Sequence, residues 1–383
     1  IFLEDSELNS NLYFFNHNEF NADTADFVLH RSDDFKAIAF ESVNLKTKIN
    51  LLKRTGTFQS NGNNSFVEFP ENQYICFIDE LKWYMDKSLV ELGVSEGGSG
   101  SRFVSTHPEQ DSLFFISKRA SYSLKDYIIE AEEVDEIEVA DALLFPPDGF
   151  VTVETEAIMR SFKGASLIVN REKRYHELFE ADLTIHGGKS YSGKASVNYK
   201  GRGVNEQLIR FDTLYVDSVY KTVGIGNISS ERGFKFNPQF SYKGSVKMEG
   251  FKKEFYYDGA FQVQHECYLV KDGWVKFNDY VGVEDIKLPI GDEVLDENGK
   301  NLYVGPIMSE DRIYPAFLSS LEKETDLVMM PINGYLSYSL ARSLFIVEDK
   351  TDSLSSKFFS FKKWLTCEPK PPIDPSSIVM ITS

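Results

Sequence analysis

The sequence predicts an all-β chain, and three observations carry that prediction. Apolar and polar residues alternate with period two, turn dipeptides recur at short intervals, and aromatic residues make up 14% of the chain, with 31 Phe and 19 Tyr. From the amino terminus, residues 1–100 form a β region punctuated by "SNGNNS" at 60–65 and "GVSEGGSGS" at 93–101. Within it, "IDELKWYMDKSLVELG" (78–93) fits two periods. Leu81, Met85, Leu89 and Leu92, with Gly93 as a C-cap, suit a short helix, whereas Leu81, Trp83 and Met85 alternate as in a strand. Residues 101–270 carry the clearest alternation, as in "FVTVETEAIM", where Val151, Val153, Thr155 and Ala157 share one side. Turns follow at "FPPDG" (145–149), "HGGKS" (186–190) and "KGRG" (200–203). Residues 271–383 form a C-terminal β region with an Asn-Gly turn at "DENGK" (296–300) and a short helical turn expected at Ala316–Leu321.

A pattern recurs inside the middle region. Tyr191-x-Gly193, Tyr242-x-Gly244 and Tyr257-x-Gly259 are each followed by apolar residues at alternate positions, ending at Val197, Met248 and Val263. A strand entering from a bend with one face on a core would read this way. The stretch "IIEAEEVDEIEVADALLF" (128–145) packs seven carboxylates into eighteen residues. Ile137 and Val139 point to one side and Glu136 and Glu138 to the other, as in a half-buried strand, and Ala140 with Ala142 supplies the small residues of a tight corner.

Composition excludes some functions. With 41 Lys and Arg against 59 Asp and Glu, the formal charge is -18, the wrong sign for coating phosphates, so no nucleic-acid partner is expected. No apolar run reaches the roughly 18 to 20 residues of a membrane-spanning helix. The three cysteines, Cys76, Cys267 and Cys367, form no CxxC pair, which leaves one disulfide open. The chain starts "IFLEDSELNS", without Met or a signal-peptide pattern, and is expected to be an excerpt that continues into flanking sequence.

Catalytic and metal motifs are scarce. His17, His30, His107, His176, His186 and His265 show no HxH, HxxxH or HExxH spacing, and His265 with Cys267 is the one His/Cys pair at strand spacing. "VGIGNISS" (223–230) is too sparse in glycine for a dinucleotide loop, and neither a Walker lysine nor a G-x-S-x-G elbow occurs. Asp141 with Glu138, and Asp285 with Glu284, are the carboxylate pairs a glycosidase reading would nominate. Asp292, Asp296 and Asn298 lack EF-hand spacing and read as a hairpin. No catalytic, cofactor, metal or lipid-binding residue is therefore assigned, and no cofactor is expected.

The stretch "RASYSLKDYIIEAEEVDEIEVADALLFPPDGFVTVETEAIMRSFKGASLIVN" (119–170) runs through Ala-x-Tyr-x-Leu, a Val-x-x-Ile-x-Val strand, an Ala-Asp-Ala step and a Pro-Asp-Gly turn to Ala165. It resembles the OstA-like repeat of lipopolysaccharide-transport proteins. Together with "KINLLKRTGTFQSNG", "SFVEFPENQYICFIDELKWYMD", "HPEQDSLFF", "KRYHELFEADLTIHGGKSYSGKASVNY" and "FNPQFSYKGSVKMEGFKKEFYYDGAFQVQHEC", it is similar to the large cell-envelope proteins of Bacteroidetes type, across most of residues 40–270. The resemblance implies an elongated β-taco or β-solenoid of stacked short strands, with OstA-like rungs over 101–270, sandwich-like insertions and a few short helices. It implies a non-enzymatic structural or conduit module, periplasmic or outer-membrane associated, that scaffolds an outer-membrane assembly or shields a lipid-like or lipopolysaccharide cargo. Partners would then be other envelope or outer-membrane assembly proteins. The competing expectation is a surface glycan-binding or glycan-cleaving β protein, which Trp83, Trp274 or Trp364 exposed beside a carboxylate pair would favour.

Overall fold

A computed structural model of the chain describes residues 2–3, 5–62, 65–93, 100–265, 273–291, 293–330, 333–341, 343–348, 358–361 and 379–381. It is all-β: its hairpins and ladders are antiparallel, as between Glu19–His30 and Ile38–Asn50 or Phe240–Glu249 and Phe255–Val263, and helical structure among the described residues is limited to 3-10 turns of three residues, such as Met85–Lys87 and Pro108–Gln110. The chain divides into two compact units, one of residues 1–196 and 213–222 and the other of residues 197–212 and 223–383.

In the first unit the long strands Glu19–His30 and Ile38–Asn50 form a bent hairpin. Asn44 adopts a positive φ of 56° and its amide donates to the Asp26 carboxylate at 2.9 Å. At that bend the sheet forks. Residues 41–43 pair with strand Phe66–Phe69, while residues 45–50 pair with strand Thr55–Ser60. The two arms curl toward each other: Tyr122, on strand Arg119–Ser123, stands five strands away from Phe69 in sheet order, yet their rings lie 4.6 Å apart. The space between is filled by Phe27, Phe40, Phe58, Phe69 and Tyr122, all wholly buried. Polar side chains close the seam. Buried Asn72 donates from Nδ2 to the carbonyls of Tyr127 (2.7 Å), Val153 (3.2 Å) and Glu154 (3.1 Å), Gln110 Nε2 donates to the Ala157 carbonyl at 2.6 Å, and the Tyr122 hydroxyl donates to the Ala39 carbonyl at 3.1 Å.

The acidic stretch 128–145 becomes strands Ile128–Glu132, Ile137–Val139 and Ala142–Phe145. Ile129, Ala131, Ile137, Val139, Ala142 and Leu144 are buried, and Glu130, Glu132, Glu136 and Glu138 face solvent, so these four carboxylates are the wet side of half-buried strands in two sheets, while Asp141 is buried.

Of the two periods that fit residues 78–93 the structure takes the strand, and the helical turn expected at Ala316–Leu321 is corrected. Residues 78–93 form strands Glu80–Tyr84 and Leu89–Gly93 around a tight turn. Leu81 pairs with Leu92 and Trp83 with Val90, and all four are buried, whereas Met85 and Leu89 are only half-buried. Period two wins because strands Thr55–Ser60 and Arg119–Ser123 hydrogen-bond to the two outer edges of this hairpin, which a helix would leave unpaired. Ala316 likewise lies inside strand Ile313–Ser319, paired with Gly305 on strand Asn301–Met308, so no helical turn forms there.

The three Tyr-x-Gly segments are strands Ser190–Tyr199, Phe240–Glu249 and Phe255–Val263, and Tyr191, Tyr242 and Tyr257 are all buried. Their glycines sit where a neighbouring backbone comes close. A Cβ on Gly193 would fall 2.0 Å from the Asp182 carbonyl oxygen, and Gly244 and Gly259 face each other in register.

Burial raises the Tyr74, Tyr122, Tyr191, Tyr199, Tyr242 and Tyr257 hydroxyls above the ordinary tyrosine value. A group raised in the folded state contributes stability that is fully present below its unfolded pKa, about pH 10 for tyrosine, and lost as pH rises toward its folded value. Denaturation midpoints should therefore hold steady up to about pH 10 and fall beyond it. These six phenolate signals should appear together with the loss of strand circular dichroism; smooth ionisation of all tyrosines in a still folded chain would contradict the burial.

Candidate functional site

Four strands of the second unit, Thr222–Ile228 (from Val223 onward), Phe240–Glu249, Phe255–Val263 and Val275–Val281, lie side by side and antiparallel. Alternation puts Val246, Met248, Tyr257, Phe261, Val275 and Phe277 on the buried face, where Phe236, Tyr242, Tyr257 and Phe277 form a cluster of edge-to-face rings. The opposite face is polar, and the register sorts it into rows. Asn227 stands opposite Ser245, Ser245 opposite Asp258, and Asp258 opposite Asn278, one side chain per strand. Adjacent strands are about 4.8 Å apart, so the row spans roughly 14 Å. The Asn227, Asp258 and Asn278 side chains are exposed and make no hydrogen bond or ion pair with any described residue.

Asn227, Asp258 and Asn278 of this row line an open groove of about 790 Å³, together with Lys243, Lys276, Glu293, Glu297 and the apolar Ile228, Ala260 and Leu295. Gly244 and Gly259 let the floor lie tight: a Cβ on Gly259 would meet the Lys243 carbonyl oxygen at 2.3 Å and the Gly244 Cα at 2.7 Å. At one end the Lys243 ammonium sits 4.4 Å from the Trp274 ring centroid and donates to Glu297 at 2.6 Å. Further along the same two strands, outside the groove lining, the register partners Tyr256 and Tyr280 bring their rings to 5.1 Å. The wall next to Glu297 is the turn of residues 296–300. There the Asp296 carboxylate accepts from the amides of Lys300 (2.8 Å) and Asn298 (2.9 Å), which holds it below the usual carboxylate range. The calcium candidates Asp296 and Asn298 thus build a hairpin turn, and Asp292 lies outside the described residues.

The nominated carboxylate pairs serve other purposes. Asp141 is buried and accepts from the Thr222 amide (3.0 Å) and hydroxyl (2.6 Å), and Thr222 is joined in turn to the Tyr191 hydroxyl at 2.6 Å. Glu138 points to solvent and pairs with Arg171. Glu284 and Asp285 are both exposed, with Asp285 paired to Lys287 at 2.8 Å. The histidines are scattered: His30 stacks on Phe35 (4.7 Å), His107 accepts from the Glu109 amide, and His186 meets Ser192 at 2.8 Å. Among the described residues no three His, Cys, Asp or Glu side chains are grouped to hold a metal ion. Cys76 is buried and free, burial raising its thiol, while Cys267 and Cys367 lie outside the described residues.

Of the tryptophans, Trp83 is in the first unit's core, Trp274 is half-buried at the groove, and Trp364 lies outside the described residues. No family model, no curated protein and no solved structure matches this chain. The chemistry of the groove therefore rests on its own residues. The Asn227–Asp258–Asn278 row escaped sequence reasoning, although each residue sits at an outward position of a legible strand, because the register that aligns them comes from pairing between strands.

Proposed function

We propose that the chain is a non-enzymatic structural module of a Gram-negative cell envelope, periplasmic or outer-membrane associated, that scaffolds an outer-membrane assembly through contacts with other envelope proteins. The observation that carries this reading is the alternation over residues 128–145, with apolar side chains inward and carboxylates outward on successive short antiparallel strands. An OstA-like β-taco rung needs that pattern, and outward carboxylates keep stacked strands from pairing with the wrong partner. The engagement of Asp141 by Thr222 and of Glu138 by Arg171 supports a scaffolding role for this stretch over a hydrolytic one.

Within that reading, scaffolding has more support than shielding of a lipid-like or lipopolysaccharide cargo. The aromatic interior of the first unit is filled by its own side chains, and the groove of the second mixes Ile228, Ala260 and Leu295 with Lys, Asn, Asp, Glu and Ser instead of presenting a continuous apolar surface. In-cell crosslinking followed by purification from envelope membranes tests the proposal. A recurring set of outer-membrane assembly proteins is expected in the crosslinked material, and delipidated protein should leave a fluorescent fatty-acyl probe unbound. Recovery of the chain in the cytosolic fraction, without envelope partners, would sink it.

A further inference from the structure

We propose that the groove over Asn227, Asp258 and Asn278 is a binding site for an extended, uncharged polysaccharide, laid across the four strands. This inference stands on the groove and does not depend on the scaffold reading. The row offers amide donors and acceptors from two asparagines and acceptors from one carboxylate. Those are the groups that pair with sugar hydroxyls, which both donate and accept. Because none of the three has a partner among the described residues, a ligand would displace only water from them there. Their spacing of about 4.8 Å per strand is close to the repeat of an extended pyranose chain, so successive rings can meet successive side chains.

Beside the row, Lys252 and Lys243 lie over the Tyr280 and Trp274 rings at 3.4 and 4.4 Å, so the polar row itself carries the ligand contacts. Charge argues for a neutral chain. The groove carries two lysines, Lys243 and Lys276, against three carboxylates, Asp258, Glu293 and Glu297, so neither a polyanion nor a polycation finds a uniform surface. A peptide strand is disfavoured because the floor is a sheet face whose backbone groups are already paired.

Isothermal titration of the purified chain with cellohexaose, chitohexaose and mannohexaose tests this directly. At least one should bind, and Asn227→Ala, Asp258→Ala and Asn278→Ala should each weaken it about five- to tenfold, consistent with the loss of one or two hydrogen bonds at an open site. All three residues are exposed, so circular dichroism of the variants should match the parent, and Glu136→Ala, in the first unit, should bind as the parent does. The proposal is overturned if no hexasaccharide binds at millimolar concentration, if the triple alanine variant keeps the parental affinity, or if the groove takes up only a heparin fragment or a peptide. Envelope crosslinking without sugar binding would refute this site and leave the scaffold reading standing; sugar binding without envelope partners would do the reverse.

Discussion

Gly259→Ala should destabilise the second unit by about 3 kcal/mol or more, seen as a lowered denaturation midpoint. The added methyl would lie 2.3 Å from the Lys243 carbonyl oxygen and 2.7 Å from the Gly244 Cα. Both are backbone atoms, so no rotamer change relieves the contact and the two strands must separate. Separation also disturbs Tyr242, whose hydroxyl lies 2.9 Å from the same Cβ position and donates to the Ser245 carbonyl at 2.5 Å. Tyr242 is part of the ring cluster with Tyr257 (5.0 Å) and Phe277 (5.8 Å), so the disturbance reaches the core. Gly291→Ala is the control, because nothing lies within 4 Å of its Cβ position, and it should change stability by no more than about 0.5 kcal/mol. Equal behaviour of the two variants would mean that the close approach of these strands does not need glycine.

Phe27→Ala should cost the first unit about 3 to 5 kcal/mol. Phe27 is wholly buried, and its ring lies 4.9 Å from Phe58, 5.3 Å from Trp83 and 5.5 Å from Phe40. These rings come from neighbouring strands, whose backbones are fixed by their ladders and cannot collapse into the space left behind. The cavity term therefore adds to the lost transfer energy. Tryptophan emission should shift to the red as Trp83 loses its partner. Phe15→Ala, on a side chain 72% exposed, should be nearly neutral by the same measurement. A Phe27→Ala midpoint close to that of Phe15→Ala would refute the curled, filled interior.

The all-β class was legible because its signals are local. Period-two alternation and the turns at 145–149, 186–190 and 296–300 record which way each side chain points and where the chain reverses, and neighbouring residues settle both. The Tyr-x-Gly pattern was legible for the same reason, although its purpose was not. Only the register Gly244 to Gly259 shows that the glycines are there for close backbone approach. The segment 78–93 marks the limit from the other side: its apolar residues satisfy both periods, and hydrogen bonds to strands 25 residues upstream and 30 downstream choose between them.

By itself, the sequence determined the all-β class, the half-buried character of the acidic stretch and the strand positions of Tyr191, Tyr242 and Tyr257. Tertiary structure alone decided that the first sheet forks at Asn44 and curls over its own aromatic residues, that Asp141 is held by Thr222 while Glu138 is not, and that Asn227, Asp258 and Asn278 stand in one row. The physical reason is common to all three. Facing is a property of one strand, carried by neighbouring residues, whereas register and curvature arise from pairing between strands that are distant in the chain, and a shift of one residue would have turned that row toward the core.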